Sequence, residues 1–285
     1  RHTSFIGLSC NYGTVLAGKH NTPFFDAVIQ FDLFHHLAGD VRSVLGRIPG
    51  IDSGTGDHHG GTFNVSAGDT IMYKSPNWSG LTFEASTFGM NERRTEIGNK
   101  SSAFGVGARY SQEMFTLVGA YEIHNNFDLQ EDDAGTAGVD ESTEETIDET
   151  TAFIVGGMVH FNDANTMVGG FYEQLDSSDT KRNVAGSTLF VTDSRTGYYL
   201  NFQQRFLGNN KFKAAYAIAD DFADHDGGTS LTVGLAHELG PKTEIYGSYT
   251  TVDNDEEGDY STGSIGPLEQ GSDPSTLAFG MIHTF

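Results

Sequence analysis

The sequence predicts an all-β chain, folded as a transmembrane antiparallel up-and-down β-barrel. Three observations carry that reading. Runs of about 8 to 13 residues alternate apolar and polar positions from one end of the chain to the other. Tight joints alternate with long polar connections, the rhythm of strands joined by short turns at one end and long loops at the other. The chain also holds 36 glycines, many of them inside the alternating runs, where Gly marks curvature or close backbone approach.

The runs lie at 5–11, 13–20, 69–75, 81–89, 102–111, 115–125, 150–162, 165–176, 195–207, 211–222, 228–239, 243–254 and 276–285, thirteen in all. The pairs Gly105 and Gly107, and Gly156 and Gly157, fall inside them. In the run from Gly197, Tyr198, Leu200, Phe202 and Phe206 oppose Tyr199, Asn201, Gln203 and Arg205. In the run from Lys211, Phe212, Ala214, Tyr216 and Ile218 oppose Lys213, Ala215 and Ala217. The last run groups Leu277, Phe279, Met281, His283 and Phe285. A soluble sandwich also alternates in this way. The joints separate the two: Asn11-Tyr12, Asn77 to Gly80, Gln112 to Met114, Asn162 to Ala164, Gly208 to Asn210 and Gly240 to Lys242 are tight, whereas 21–68, 90–101, 126–149, 177–194 and 255–275 are long. The connection 223–227 is the short exception on the long side.

The longest connection, 21–68, is unlike the others. Phe24, Phe25, Val28, Ile29, Phe31, Leu33, Phe34, Leu37, Val41 and Leu45 make its first part apolar enough to pack, with spacing for one or two short helices. Its second part, Gly54 to Gly61, is rich in Gly and His. Connections of this length inside a compact domain are usually functional or disordered, and this one reads as a loop folded back into the lumen.

Composition removes several classes of function. With 16 basic residues against 39 acidic ones and a net charge of −23, duplex nucleic acid is not an expected partner. No apolar stretch approaches the roughly 20 residues of a spanning helix, which leaves strands free to cross a membrane. Cys10 is the single cysteine, so no disulfide framework or thiolate metal site is expected. Arg1 opens the chain with no signal peptide in view, which reads as a processed, truncated or partial sequence. His35-His36 and His58-His59 lack the ordered carboxylate or Cys spacing of a metal site, and no cofactor is expected. The acidic stretch Asp253 to Asp259 lacks the ligand order of a calcium loop and reads, like Asp128 to Glu149, as an acidic external loop. No nucleophile elbow, phosphate loop or nucleotide fingerprint is present, so the chain is not expected to be an enzyme.

Phe5-Ile6-Gly7-Leu8-Ser9 followed by Gly13 to Pro23 resembles the strand pair before the constriction loop of Gram-negative general porins, of the type found in Neisseria, Comamonas and many marine gammaproteobacteria. Tyr73-Lys74-Ser75-Pro76 with Gly80-Leu81, Gly119 to Glu122, Lys213 to Tyr216, and Asp273 through Phe285 resemble the same family. The resemblance implies a sixteen-stranded barrel, a homotrimer, and a location in the outer membrane. It also implies that about thirteen of those strands lie in residues 1–285, as one domain whose first three strands are missing, with 21–68 as the inward constriction loop. Phe279, Met281, His283 and Phe285 resemble the C-terminal insertion signal read by the barrel-assembly machinery. Lipid and lipopolysaccharide are the implied surroundings, with divalent ions bridging acidic loops to the latter.

That family implies passive diffusion of ions and small hydrophilic solutes through a water-filled constriction with a transverse field. Its acidic side would come from Asp26, Asp32 and Asp40 of the loop, though Asp32 or Asp40 could instead cap a helical turn. Its basic side would come from Lys19, Lys74, Arg109 and Arg205. The last three fall on the less apolar face of their strands, and a charge facing lipid at mid-membrane would cost about 2–4 kcal/mol. Lys19 shares a face with Val15 and Ala17, so only the resemblance supports it. The charge balance predicts a weak cation preference, and Tyr73, Tyr110, Phe206 and Tyr249 are candidates for the interfacial girdles. Two other readings stay open at this point: a soluble secreted β protein binding carbohydrate or calcium through acidic loops, and a surface barrel plugged by 21–68.

Overall fold

Alternating runs joined by short turns can satisfy their backbone only sideways, strand to strand, and the structure does this in twelve pairings of thirteen strands. A computed structural model describes residues 3–47, 63–89, 102–129, 145–161, 165–184, 187–222 and 225–284. The strands are β1 (Ser4–Cys10), β2 (Gly13–Asn21), β3 (Ser66–Lys74), β4 (Leu81–Phe88), β5 (Ser102–Ser111), β6 (Phe115–Leu129), β7 (Glu145–Phe161), β8 (Thr166–Val184), β9 (Ser187–Phe206), β10 (Asn210–Ala219), β11 (Gly228–Gly240), β12 (Thr243–Asn254) and β13 (Ser275–His283). They form one sheet in sequence order, each antiparallel to the next. Among the described residues β1 and β13 each pair with one neighbour only.

The period-two pattern sorts side chains onto two faces. On the outer face Leu200, Leu231, Leu235, Tyr249, Leu277 and Phe279 are exposed, while Tyr199, Ser230, Ala236, Thr250 and Thr276 on the same strands are buried. An exposed apolar face of this extent is what lipid requires and what water penalises. Tyr73, Tyr110, Phe206 and Tyr249 all stand on it, with 38–45% of their surface exposed. Among the described residues no helix is long and apolar enough to cross a membrane.

The core lies on the inner face. The β2–β3 connection begins with a helix, α1 (Pro23–Val28), started by Thr22, whose hydroxyl accepts from the Phe25 amide at 3.2 Å, and by Pro23 at the first position. The chain then turns through a 3-10 segment, Val41–Ser43. Phe24, Val28, Phe31, Phe34, Val41, Val44 and Leu45 bury themselves against Val118, Ile154, Phe171, Leu175, Tyr199, Ala215, Ala217 and Val252. Strands β6 to β12 therefore curl around the loop, and the loop sits inside them. The wall is small-residued where the loop comes closest. Gly39, at φ +88°, approaches Thr232 so nearly that an added Cβ would overlap its hydroxyl. The Asn201 side-chain amide donates to the Phe31 carbonyl.

The strand positions follow the sequence pattern, but two connections differ. The expected loop 177–194 is largely strand, since β8 runs to Val184 and β9 starts at Ser187. The expected loop 126–149 loses its two ends, since β6 runs on to Leu129 and β7 starts at Glu145; residues 130–144 lie outside the described residues. At about 3.4 Å per residue, the 20 residues of β9 reach about 65 Å, or about 46 Å at a 45° tilt, beyond the roughly 30 Å hydrocarbon core. Past the lipid both faces meet water, so the hydrogen-bond ladder continues without apolar alternation. The stretch Gly54 to Gly61 lies outside the described residues.

Because Phe31 is wholly buried against Phe171, Phe31→Ala should destabilise the folded protein by about 3–5 kcal/mol. Thermal unfolding in detergent checks this; an unchanged midpoint would mean that the loop is not packed on the wall.

Candidate functional site: the lumen and its inward loop

The first cluster joins the loop to the wall through charge. Asp26, in the first turn of α1, accepts from Lys74 Nζ at 2.9 Å, and Lys74 also meets Glu84 of β4 at 3.2 Å. Asn21 adds a donor to Asp26 at 2.9 Å. With Arg109 of β5, whose Nε donates to Ser111 at 2.8 Å, Asp26, Lys74 and Glu84 line a cavity of about 280 Å3 between α1 and the wall. Of the sequence candidates, Asp26, Lys74 and Arg109 are thus brought together.

Asp32 and Asp40 have a different place. Their side chains are 0% and 7% exposed and turn into the loop. Asp32 accepts from the amides of Phe34 and Val41. Asp40 caps the 3-10 turn, accepting from the amides of His36 and Arg42 and from Arg42 Nε at 2.8 Å. They shape the loop from within, each carboxylate accepting from two of its backbone amides. His35 lies between the two carboxylates, 3.7 and 3.5 Å away. Hydrogen bonding to Asp32, then to Asp40, raises its pKa from 6.5 to about 9. Burial pushes Asp32 up, opposed by His35. Burial also works against Asp40, yet the bonds from Arg42 and His35 hold its carboxyl well below the usual range.

Arg205 opens a ladder of ion pairs at the short-turn end. Its guanidinium meets Glu238 at 2.9 and 2.6 Å, Lys211 meets Glu238 at 2.7 Å and Glu244 at 2.6 Å, and Lys213 reaches Glu244 at 3.3 Å. Five side chains from four strands alternate in sign along the inner rim. Lys19 is half-buried at the point where the β2–β3 register shifts, between Gly18 and His20, while Val15 and Ala17 on its strand are exposed. No ladder or cluster described here includes it.

Sequence reasoning missed two buried groups. On β6, Glu122 and His124 are fully buried and bonded at 2.8 Å, with His124 stacked on Phe63 of the loop at 4.3 Å. On β8 and β9, Glu173 and Arg195 pair at 3.2 Å. Glu173 also accepts the Gly46 amide at 3.0 Å, and Arg195 donates to the Tyr260 hydroxyl at 2.8 Å. A charge at an inner-face position opposite an apolar loop was the available signal. The segment 255–275, expected to be an external loop, turns inward at Tyr260, since buried Arg195 needs an acceptor there.

A family model described as a Gram-negative porin matches residues 1–257. The chain belongs to the Gram-negative porin family. It is 24% identical over 300 residues to "Outer membrane porin protein 32" of Delftia acidovorans, covering 100% of this chain and 74% of that protein. It is 24% identical over 259 residues to the "Monosaccharide porin" of a Halomonas species, covering 88% of this chain but 64% of that one, so it spans less than two thirds of this relative's length. A solved anion-selective porin from Comamonas acidovorans shares the fold, with a TM-score of 0.73 at 17% identity, covering 99% of this chain and 77% of that one.

As an outer-membrane porin, a channel and not an enzyme, the chain faces lipid with the outward side of its sheet. Phe279 and Met281 of β13 stand there, 77% and 64% exposed, and His283 bonds Thr243 of β12 at 2.8 Å. Phe285 lies outside the described residues.

The raised pKa of His35 makes the loop's docking pH-dependent. Its protonated form is stabilising, so its contribution is complete below pH 6.5 and is lost as pH rises through about 9. Amide exchange of residues 31–45 should accelerate beyond the usual base catalysis across that window, and His35→Gln should remove the extra step. An identical profile in both proteins would show that His35 does not hold the loop.

Proposed function

We propose that this porin forms a water-filled channel for passive diffusion of ions and small hydrophilic solutes, with a weak preference for cations. The observation that carries the reading is the one-sided attachment of the inward loop. Its apolar cluster draws on β6 to β10 and β12, and α1 meets β3 to β5 through Pro23 and Asp26, whereas among the described residues none of these contacts reaches β1 or β13. A loop held to one wall narrows a lumen without filling it, and Asp26 with Lys74 and Arg109 puts both signs of charge beside the opening.

The sign of the preference follows from charge bookkeeping. Lys74, Arg195, Arg205, Lys211 and Lys213 of the strands each meet a carboxylate. Asp220, Asp221, Asp253 and Asp255 line a cleft of about 520 Å3 at the long-loop end of β10 to β12. With a net charge of −23, the field at that mouth concentrates cations. The Comamonas acidovorans porin is described as anion-selective; the opposite sign proposed here rests on this chain's own charges. The functional unit is a homotrimer in lipid and lipopolysaccharide, inserted by the barrel-assembly machinery through the β13 end with Phe279, Met281, His283 and Phe285.

In a planar bilayer under a potassium chloride gradient, the zero-current potential should favour potassium. The bias should shrink as ionic strength approaches 1 M, where the Debye length falls to about 3 Å. A potential favouring chloride would contradict the proposed sign.

A further inference from the structure

Beyond the loop 22–47, a second segment enters the lumen. Tyr260, six positions past the end of β12, is buried on the inner face and accepts from Arg195 of β9, two strands beyond its neighbour β11. Its backbone is held by Asn254, whose side chain accepts from the Tyr260 amide at 2.9 Å and donates to its carbonyl at 3.1 Å. Thr262 is equally buried, and its hydroxyl bonds that of Thr276 on the inner face of β13 at 2.6 Å.

The same segment grips the first loop at two points. The Gly39 amide donates to the Thr262 carbonyl at 2.8 Å. Arg47 meets both oxygens of Asp259, at 2.8 and 2.9 Å, and its guanidinium lies 5.5 Å from the centre of the Tyr260 ring. The contacts form one continuous chain: Gly46 to Glu173, Glu173 to Arg195, Arg195 to Tyr260, and Asp259 back to Arg47. Between the anchored Thr262 and Gly271, residues 263–266 and 268–270 are exposed.

We propose that residues 255–274 are a second constriction element, clamped to the first, and that Arg47, Asp259 and Tyr260 are the positioning residues that fix the two as one unit. This rests on the channel reading above. The physical reason is the location of the anchors. A loop lying outside the barrel has no cause to bury a tyrosine on the inner face of β9, nor to cap the backbone of a loop inside the lumen. The channel's narrow region is then set by two segments far apart in sequence, and a change in either alters permeation.

The test uses the full chain with Cys10→Ser, refolded in detergent. Gly271 N lies 2.9 Å from Gly258 O, so residues 259–270 can be replaced by a Gly-Ser link with the hairpin base intact. Single-channel conductance should rise in this variant and the zero-current potential should shift. Equal conductance and selectivity would overturn the proposal while leaving the channel reading intact, whereas a silent parent protein would defeat the channel reading itself. A second variant guards against a folding failure. A Cβ on Gly263 would lie 3.8 Å from that of Ser43, the usual spacing for a disulfide. Ser43→Cys with Gly263→Cys should therefore cross-link under mild oxidation and conduct as the reduced protein does. Persistent free thiols, or closure on cross-linking, would overturn the proposal.

Discussion

The packing of Phe24 to Leu45 against the inner wall is the interaction on which the rest depends. A sheet in lipid satisfies its backbone between strands and leaves its inner face polar or empty. Here part of that face is covered by a loop carrying its own apolar side. Burying each large side chain of this kind is worth about 1.5–3 kcal/mol. Seven buried apolar residues between Phe24 and Leu45 (Phe24, Val28, Phe31, Phe34, Val41, Val44 and Leu45) are at most 2% exposed. That attachment exceeds what a segment held only by surface ion pairs could reach, since such pairs contribute about 0–1 kcal/mol each. Small wall residues such as Ala215 and Ala217 let the loop approach, and the charges beside α1 can hold a fixed place only because the helix does.

Polar groups inside this packing set its register. Glu173 and Arg195 are fully buried, and removing one partner of such a pair typically costs about 3–5 kcal/mol because the other charge is stranded. The Gly46 amide and the Tyr260 hydroxyl complete that pair from two different loops. Apolar contact supplies adhesion, and these bonds decide where the loops stop. The same division holds in the turn around Asp32 and Asp40, whose carboxylates serve the loop's own amides.

Much of this was legible in the sequence. Thirteen alternating runs became thirteen strands because the lipid face forces an apolar residue at every second position, as Leu231, Val233 and Leu235 illustrate. The ends of β8 and β9 were not legible, since beyond the membrane nothing demands alternation. Lys74, Arg109 and Arg205 were singled out because their neighbours are apolar, and they fall in line with the buried positions Met72, Gly105 and Asn201 of their strands. Glu238, the partner of Arg205, was not legible, because it comes beside Glu244 only through the register of β11 against β12. The inward turn at Tyr260 was hidden behind an acidic stretch, Asp253 to Asp259, whose composition suits an exposed loop. The single residue that betrays it needs Arg195, 65 positions away.

The central claim is that a loop fastened to one wall narrows the lumen and leaves it open to water. Recording the refolded chain in a planar bilayer tests this most directly. The account predicts stepwise, ohmic openings whose size scales with electrolyte conductivity. A chain that inserts, keeps its β structure and yet shows no steps at any voltage would contradict it.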